Sequence, residues 1–330
     1  MGQPAKPYIG GQAVLEGVMM RSPRTFVVVV RRPDGSLAVR EEAWETLGAS
    51  LPFLKWPLFR GAVTLVESLW NGYSALTFSA EQAMPPTEGA AEGEGKGGLY
   101  AAMAASSLFV IALFMATPHL LTVGVGRLLG HDLPTTSLLF HAVDTGFKLL
   151  IFGSYLGLIS RTAEAKRLFQ YHGAEHKAIW AYESGKPLTV EGAAPFTTLH
   201  PRCGTSFLVM VMAVQMVVTA LVFSQVPQLS PHLWLHHVLV VLLKIPLMFP
   251  IAGLTYEFQK WTARPNCPRP LLWLARPGLW MQHITTREPS PDQLEVAVVA
   301  LSRALAREEG RAAVDGVQIV PSSLQPALAK

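Results

Sequence analysis

Four long stretches of the chain are almost uninterruptedly apolar: residues 99–121, 137–159, 205–226 and 234–256. Crossing a hydrocarbon core of about 30 Å takes roughly 20 helical residues, and each stretch is that long. The first and third hold no Asp, Glu, Lys or Arg. The second carries Asp144 and Lys148, and the fourth carries Lys244. The pattern predicts an α-helical polytopic membrane protein with four transmembrane helices. Four buried core helices of this kind in one soluble chain is the weaker explanation, since apolar runs this long are the mark of a spanning helix.

Elsewhere the periodicity changes. Within residues 1–50, Thr25–Arg31 is a β-branched run and Ser36–Glu41 a shorter one, joined by the turn signal Pro33-Asp34-Gly35. A small β unit is expected there. Leu58–Phe78 is largely apolar but broken by Arg60, Glu67 and Asn71, and it follows Lys55-Trp56-Pro57; residues 51–82 are expected to form a helix lying in the membrane interface. Residues 83–98, rich in Gly and Glu, read as a flexible acidic linker. Near the end, Ser290-Pro291-Asp292-Gln293 supplies an N-cap, a proline at N1 and a glutamine at N3. Leu294, Val298, Leu301 and Leu305 follow at helical spacing, predicting an amphipathic helix over 290–309 within a C-terminal segment 257–330, then a loose tail.

Charge orients this arrangement. Only 15% of the 330 residues are charged and 50% are hydrophobic, against about 25% charged in an ordinary soluble domain. That excludes a disordered chain, and two cysteines exclude a disulfide scaffold. Of 27 Lys and Arg, 24 fall in residues 1–98, 160–204 and 256–330. The positive-inside rule therefore expects both termini and the 160–204 connection in the cytoplasm, as in a multi-pass protein of a bacterial inner membrane. Making 58–78 a fifth span would put Arg21, Arg24, Arg31, Arg32 and Arg40 outside, against that rule. The N-terminus shows no apolar h-region of a signal peptide. The pI near 9.1 reads as this topology signature and predicts the lipid bilayer, not nucleic acid, as the partner.

Candidate chemistry gathers in the 160–204 connection. Tyr171-His172-Gly173-Ala174-Glu175-His176-Lys177 lies in a helical run from Arg161 to Glu183. His172 and His176, four apart, leave one helix face a turn apart and can reach one metal ion. Glu175 lies about 100° round the helix, placed to act on water and not to ligate. His-x-x-Glu-His is the reversed zincin order, with the Glu as general base. Further ligands are expected from His200 and Cys203, just before the third span, or from Glu183; Glu191 and Glu257 are weaker options. Three protein ligands would leave a catalytic position open and four would close a structural site. The cofactor expected is a divalent metal, zinc above others. Without metal, the histidines are interfacial hydrogen-bonding residues and Cys203 a small buried hydrophobe. Cys203 and Cys267 both fall on the reducing side, so no structural disulfide is expected.

Asp144 and Lys148, with His141 on the same face, must point into the bundle, and Lys244 is the expected third member. An ion-pair network fixing helix register is favoured over a proton or substrate path, because no broken-helix pair is present.

Four separated motifs carry a resemblance. They are Ile9–Arg21 (Ile-Gly-Gly-Gln-Ala-Val-Leu-Glu-Gly-Val-Met-Met-Arg), Phe169–Lys177, His200–Phe207, and Pro277-Gly278-Leu279 with Thr285–Pro289. In order and together they resemble the YqhQ-like family of uncharacterised bacterial membrane proteins. The resemblance implies a metal-dependent enzyme and adds weight to His172, Glu175, His176, His200 and Cys203 as its site; it implies no substrate or reaction. The departure is the Gly/Glu-rich linker, which touches none of the motifs. The N-terminal motif is not a phosphate loop, since no Lys-Ser/Thr follows its glycines. It is expected to pack on the central connection, with Glu16 or Arg21 facing the site, or else to be a structural turn. Two functions follow as expectations. One is a membrane-embedded, metal-dependent hydrolase acting on a membrane-proximal substrate. The other is a non-enzymatic scaffold or biogenesis factor whose His/Cys cluster ties the loop in place and whose surface binds a protein partner.

Overall fold

The computed structural model describes residues 7–49, 51–83, 105–106, 108–130, 132–262, 267–311 and 315–324. The acidic linker expected at 83–98 lies, but for Ala83, outside the described residues, as do the start of the first apolar stretch and the last six residues.

The N-terminal unit is an antiparallel meander with more strands than the pattern predicts. It comprises β1 (Gly10–Val14), β2 (Gly17–Arg21), β3 (Thr25–Arg31) and β4 (Leu37–Ala43). The glycine-rich motif of residues 9–21 is thus a hairpin, β1 pairing with β2 in the register Gly10↔Arg21 through Val14↔Gly17. Its two-residue turn puts Glu16 at φ 51°, a left-handed conformation uncommon for a side-chain-bearing residue. β3 is central in the sheet, and its Val27–Val30 run is buried on both faces.

Helix α1 (Pro57–Ala83) packs on one face of the sheet, Ala75 and Phe78 meeting Phe26, Val28 and Val30. The next helices are α2 (Leu108–Leu128), with a π-helical turn at Ala112–Ala116, α3 (Leu138–Ile159) and α4 (Ala163–Glu183). They are followed by α5 (Gly204–Phe223), α6 (Leu233–Thr262), α7 (Arg269–Thr285) and α8 (Pro291–Glu308). Four of these, α2, α3, α5 and α6, are long and apolar enough to cross a membrane. Their bounds follow the expected stretches, except that α2 runs seven residues further, α6 runs six further and α5 stops three short.

The other face of the sheet is covered by α4 and α8. Val18, Met20, Val27, Val29 and Val39 meet Tyr171, Ala174 and Ala178 of α4 and Leu294, Leu301 and Leu305 of α8. Successive strand residues point to opposite faces, so the unbroken valine run feeds both cores at once. The capping box at Ser290 and Gln293 forms as expected. One expectation is corrected. The C-terminal segment is not all tail: β5 (Gly316–Val320) adds to the β4 edge in the register Leu37↔Val320. Glu295 holds it there, accepting from Ser322 Oγ at 2.6 Å and Ser323 N at 2.6 Å. Residues from three distant parts of the chain therefore share one core around α4, the helix that carries His172, Glu175 and His176.

Candidate functional site

Helix α4 begins three residues after α3 ends, with Thr162 as N-cap accepting from Ala165 N at 3.2 Å. Cys203 is the N-cap residue of α5. The site is thus formed where two of the apolar helices end against the sheet-bearing unit.

His172 and His176 leave the same face of α4, their ring centroids 4.4 Å apart. Each Nδ1 is held by a backbone carbonyl: His172 donates to Thr285 O at 2.8 Å, His176 to Thr198 O at 2.5 Å. This fixes both rings with the proton on Nδ1 and leaves Nε2 to face inward. His172 Nε2 lies 3.1 Å from Cys203 Sγ, and one ligand atom from each of His172, His176 and Cys203 lies within 4.8 Å of the others. Metal-binding histidines are characteristically held this way, the second nitrogen donating to a carbonyl or carboxylate.

The three side chains shift one another's electrostatics. Burial alone would raise the Cys203 thiol, but the charge and hydrogen bond of His172, together with His176, pull it well below the usual thiol range. Burial works against a charged His172, yet the Cys203 thiolate and Glu175 outweigh it and raise His172 to about 9. His176 is lowered by burial. These shifts favour a thiolate at Cys203 paired with a charged His172, and a neutral His176.

Glu175 is buried beside them. Burial raises its carboxyl to about 8 against the opposing pull of His172, with Cys203 raising it further and the Gly11 backbone N–H lowering it. Its Oε2 has no hydrogen-bond partner. The carboxyl lies flat on β1: a Cβ built on Gly11 would fall 2.8 Å from Glu175 Cδ. That close approach is the physical reason for a glycine at position 11. Gly173 serves the same purpose on the opposite side, since a Cβ there would sit 2.0 Å from Arg287 O. Its absence lets the 285–287 segment lie against α4, where Thr285 O reaches His172 and Arg287 N donates to Phe169 O at 2.8 Å. Gly173→Ala should force this segment off the helix and cost about 1–3 kcal/mol, as overpacking does. A lowered unfolding midpoint in detergent is the expected result.

The remaining candidates separate. His200 is buried with its ring 5.6 Å from His176, but both nitrogens are engaged: Nε2 faces Glu183 Oε2 at 3.5 Å and Nδ1 accepts from Arg202 N at 3.3 Å. Burial lowers it to about 4 and keeps it neutral. Glu183 is taken by Arg202 as well as His200. Glu191 is exposed on a one-turn helix, Val190–Ala193, and Glu257 pairs with Arg60 of α1. Glu16 and Arg21 do not face the cluster. Glu16 binds Arg167 and accepts from Tyr171 OH at 3.1 Å, clamping the hairpin to α4; Arg21 turns the other way to Glu67 of α1 at 2.5 Å. The hairpin packs on the central connection as expected, but Gly11 is the residue that meets the site.

Sequence reasoning missed the residues that position the cluster. Gln282 of α7, fully buried, accepts from His200 N and donates to His200 O, both at 2.8 Å, and donates to Ser206 Oγ at 2.7 Å. It thereby clamps the chain on both sides of Cys203. A lone glutamine gives no sequence signal; Thr285 stood within a matched motif, but through its carbonyl, which no side-chain pattern reports.

The second polar cluster lies among the apolar helices. Lys148 Nζ donates to Asp144 Oδ2 at 2.7 Å, and Lys244 Nζ lies 3.4 Å from Asp144 and 3.3 Å from His119 Nδ1. His119 Nε2 continues to His237 Nδ1 at 3.0 Å. His141 stands apart, its Nε2 on Thr135 O at 2.9 Å. The expected trio of Asp144, Lys148 and Lys244 is therefore assembled, with His119 and His237 as additional members. Both sit inside apolar stretches, where any titratable side chain is already a signal.

A protein-family model described as "Protein of unknown function (DUF1385)" matches residues 56–307. The chain belongs to this family. It is 33% identical over 317 residues, 92% of this chain and 93% of the other, to "Uncharacterized protein YqhQ" of Bacillus subtilis (strain 168). No solved structure matches it. The matched region contains both polar clusters and all but the last residue of α8, and the similarity to YqhQ extends over nearly the whole chain, in line with the motifs that carry the resemblance.

Proposed function

We propose that this protein is a membrane-embedded, metal-dependent hydrolase whose site faces the cytoplasm. The observation that carries the reading is the shape of the donor set. Two imidazoles with Nδ1 tied to carbonyls and a thiolate converge on one point, beside a buried carboxyl with an unpartnered oxygen. Imidazole and thiolate together suit zinc, and three protein ligands are the number that leaves a coordination position open. Such an ion would supply Lewis-acid polarisation and make water a nucleophile near neutral pH. Glu175 would take the proton at Oε2. Gly11 would hold that carboxyl in place, and Thr285 and Thr198 would hold the Nδ1 protons, so that Nε2 of each neutral histidine is the ligating nitrogen. The engagement of His200 by Glu183 and Arg202 favours an open, three-ligand site over a closed, structural one.

The four apolar helices support insertion in a bacterial inner membrane, and the distribution of Lys and Arg supports cytoplasmic termini. The substrate would approach from the cytoplasmic membrane surface.

Glu175→Gln tests the reading against the scaffold alternative. In a strain lacking the gene, wild type should restore function and Glu175→Gln should not, although the variant folds and retains metal. Full rescue by Glu175→Gln would remove the hydrolase and leave the scaffold.

Metal affinity should also depend on pH in a defined direction. Ligation requires neutral His172, whereas Cys203 is already a thiolate. Apparent affinity should therefore rise about tenfold per unit from about pH 7 to about pH 9 and then level off. Competition with a chromophoric chelator across that range measures it.

A further inference from the structure

Helix α7 has two faces with different tasks. One is turned to the site: Gly278 lies so close to α5 that a Cβ would fall 2.8 Å from Ser206 Cα, Gln282 clamps the chain around Cys203, and Thr285 O holds His172. The other carries Trp273, Arg276, Pro277 and Trp280 at spacings of three, four and seven, which line up on one side of a helix. Trp273 is 64% exposed and Trp280 66% exposed, and the Arg276 guanidinium lies 4.0 Å from the centre of the Trp273 ring.

The surrounding charge is one-sided. From Phe258 to Arg287 the chain has five Lys and Arg and no Asp or Glu. The segment begins in the final turns of α6, which expose Trp261. Indole rings favour the boundary between lipid headgroups and acyl chains, and an acid-free basic helix with tryptophans on one face is built to lie there. A second copy of the same surface would meet like charge with like charge, which disfavours self-association. Anionic headgroups complement it.

We infer that the Trp273–Arg276–Trp280 face of α7 is a docking surface for the anionic headgroup layer of the bilayer. The two indoles enter the headgroup–acyl boundary and Arg276 meets lipid phosphate. Because the opposite face of the same helix holds Gln282 and Thr285, the candidate site is braced directly against the membrane surface. The inference rests on membrane insertion of the four apolar helices and is independent of the metal reading.

The test uses the full chain reconstituted in vesicles, with and without phosphatidylglycerol. The vesicles contain lipids brominated either near the headgroup or deep in the acyl chain. The emission contributed by Trp273 and Trp280 is obtained by subtracting the Trp273→Phe/Trp280→Phe spectrum from that of wild type. Shallow bromine should quench this difference emission about twofold more than deep bromine, the depth at which interfacial indoles sit. Arg276→Glu should weaken the shallow quenching in vesicles containing phosphatidylglycerol and leave it unchanged in zwitterionic ones. Difference emission that no brominated lipid quenches would mean that water or a protein covers this face, and would overturn the inference. Equal shallow quenching with and without phosphatidylglycerol, in wild type and Arg276→Glu alike, would overturn its anionic part. Resistance of the wild type to alkaline extraction is measured on the same vesicles. Extraction of the protein would overturn the membrane reading and this inference together; retention without quenching would overturn this inference alone.

Discussion

His176→Ala protein, purified without chelators, is expected to contain no stoichiometric metal, and wild type is expected to hold one ion per chain. Three donors converge at the site, and neither of the other expected ligands can replace one of them: His200 is engaged at both nitrogens, and Glu183 is held by Arg202. Binding energies of about 10–16 kcal/mol for structural zinc, divided over three or four ligands, put the loss of one ligand at about 3–5 kcal/mol, or roughly a thousandfold in affinity. Metal analysis of wild type, His176→Ala and Gln282→Ala provides a graded check. Gln282 touches no donor atom and acts by holding the chain around Cys203, so its loss should weaken binding by about 10–100-fold, as outer-shell partners do. A wild type free of metal would sink the metal reading altogether.

Asp144→Asn is expected to be the most destabilising single substitution among the apolar helices. Asp144 is the only carboxylate within reach of Lys148 and Lys244 among the described residues, and all three side chains are almost wholly buried. Removing it leaves two ammonium groups facing each other without an anion, and breaking a buried pair from one side costs about 3–5 kcal/mol. Lys148→Met should cost much less, because Asp144 and Lys244 remain as a balanced pair. Lys244→Met should fall between the two, since it strips His119 Nδ1 of its partner while sparing the Asp144–Lys148 pair. Unfolding midpoints in a single detergent would order the three. Equal losses would mean that packing, not charge, dominates this cluster.

The order matters for what the cluster does for the fold. Asp144 and Lys148 lie on one helix, so their contact ties nothing together. Lys244 supplies the ties, joining α6 to α3 through Asp144 and to α2 through His119. The sequence pointed to Lys244 as the third member because a lone lysine in an apolar run must find an anion. It did not point to His119, which no charge count includes.

The site divides in the same way. His172, Glu175 and His176 were legible because they lie on one helix, and the 3.6-residue turn alone sets their mutual directions. Cys203 and His200 were the leading further donors, with Glu183 a weaker third, and spacing could not decide between the first two. The ranking depends on Arg202 and Gln282, which orient His200 and Cys203 differently although only two residues lie between them. The glycines show the same limit. Only the packing identifies Gly11 and Gly173 as positions of close approach, and what approaches them: the Glu175 carboxyl on one side and the Arg287 carbonyl on the other.

By itself the sequence determined which stretches are apolar enough to span a bilayer, where the cationic residues gather between them, and that one helix carries the His-x-x-Glu-His pattern. These are properties of composition and local period, and they need no knowledge of what lies next to what. Only the tertiary structure decided that the hairpin, α4, α8 and β5 form a single unit, that Cys203 and not His200 completes the cluster, and that α7 holds the site from one face while offering its tryptophans on the other. Each of these depends on contacts between residues tens to hundreds of positions apart, where backbone carbonyls and absent side chains do the selecting, and neither leaves a trace in a one-dimensional pattern.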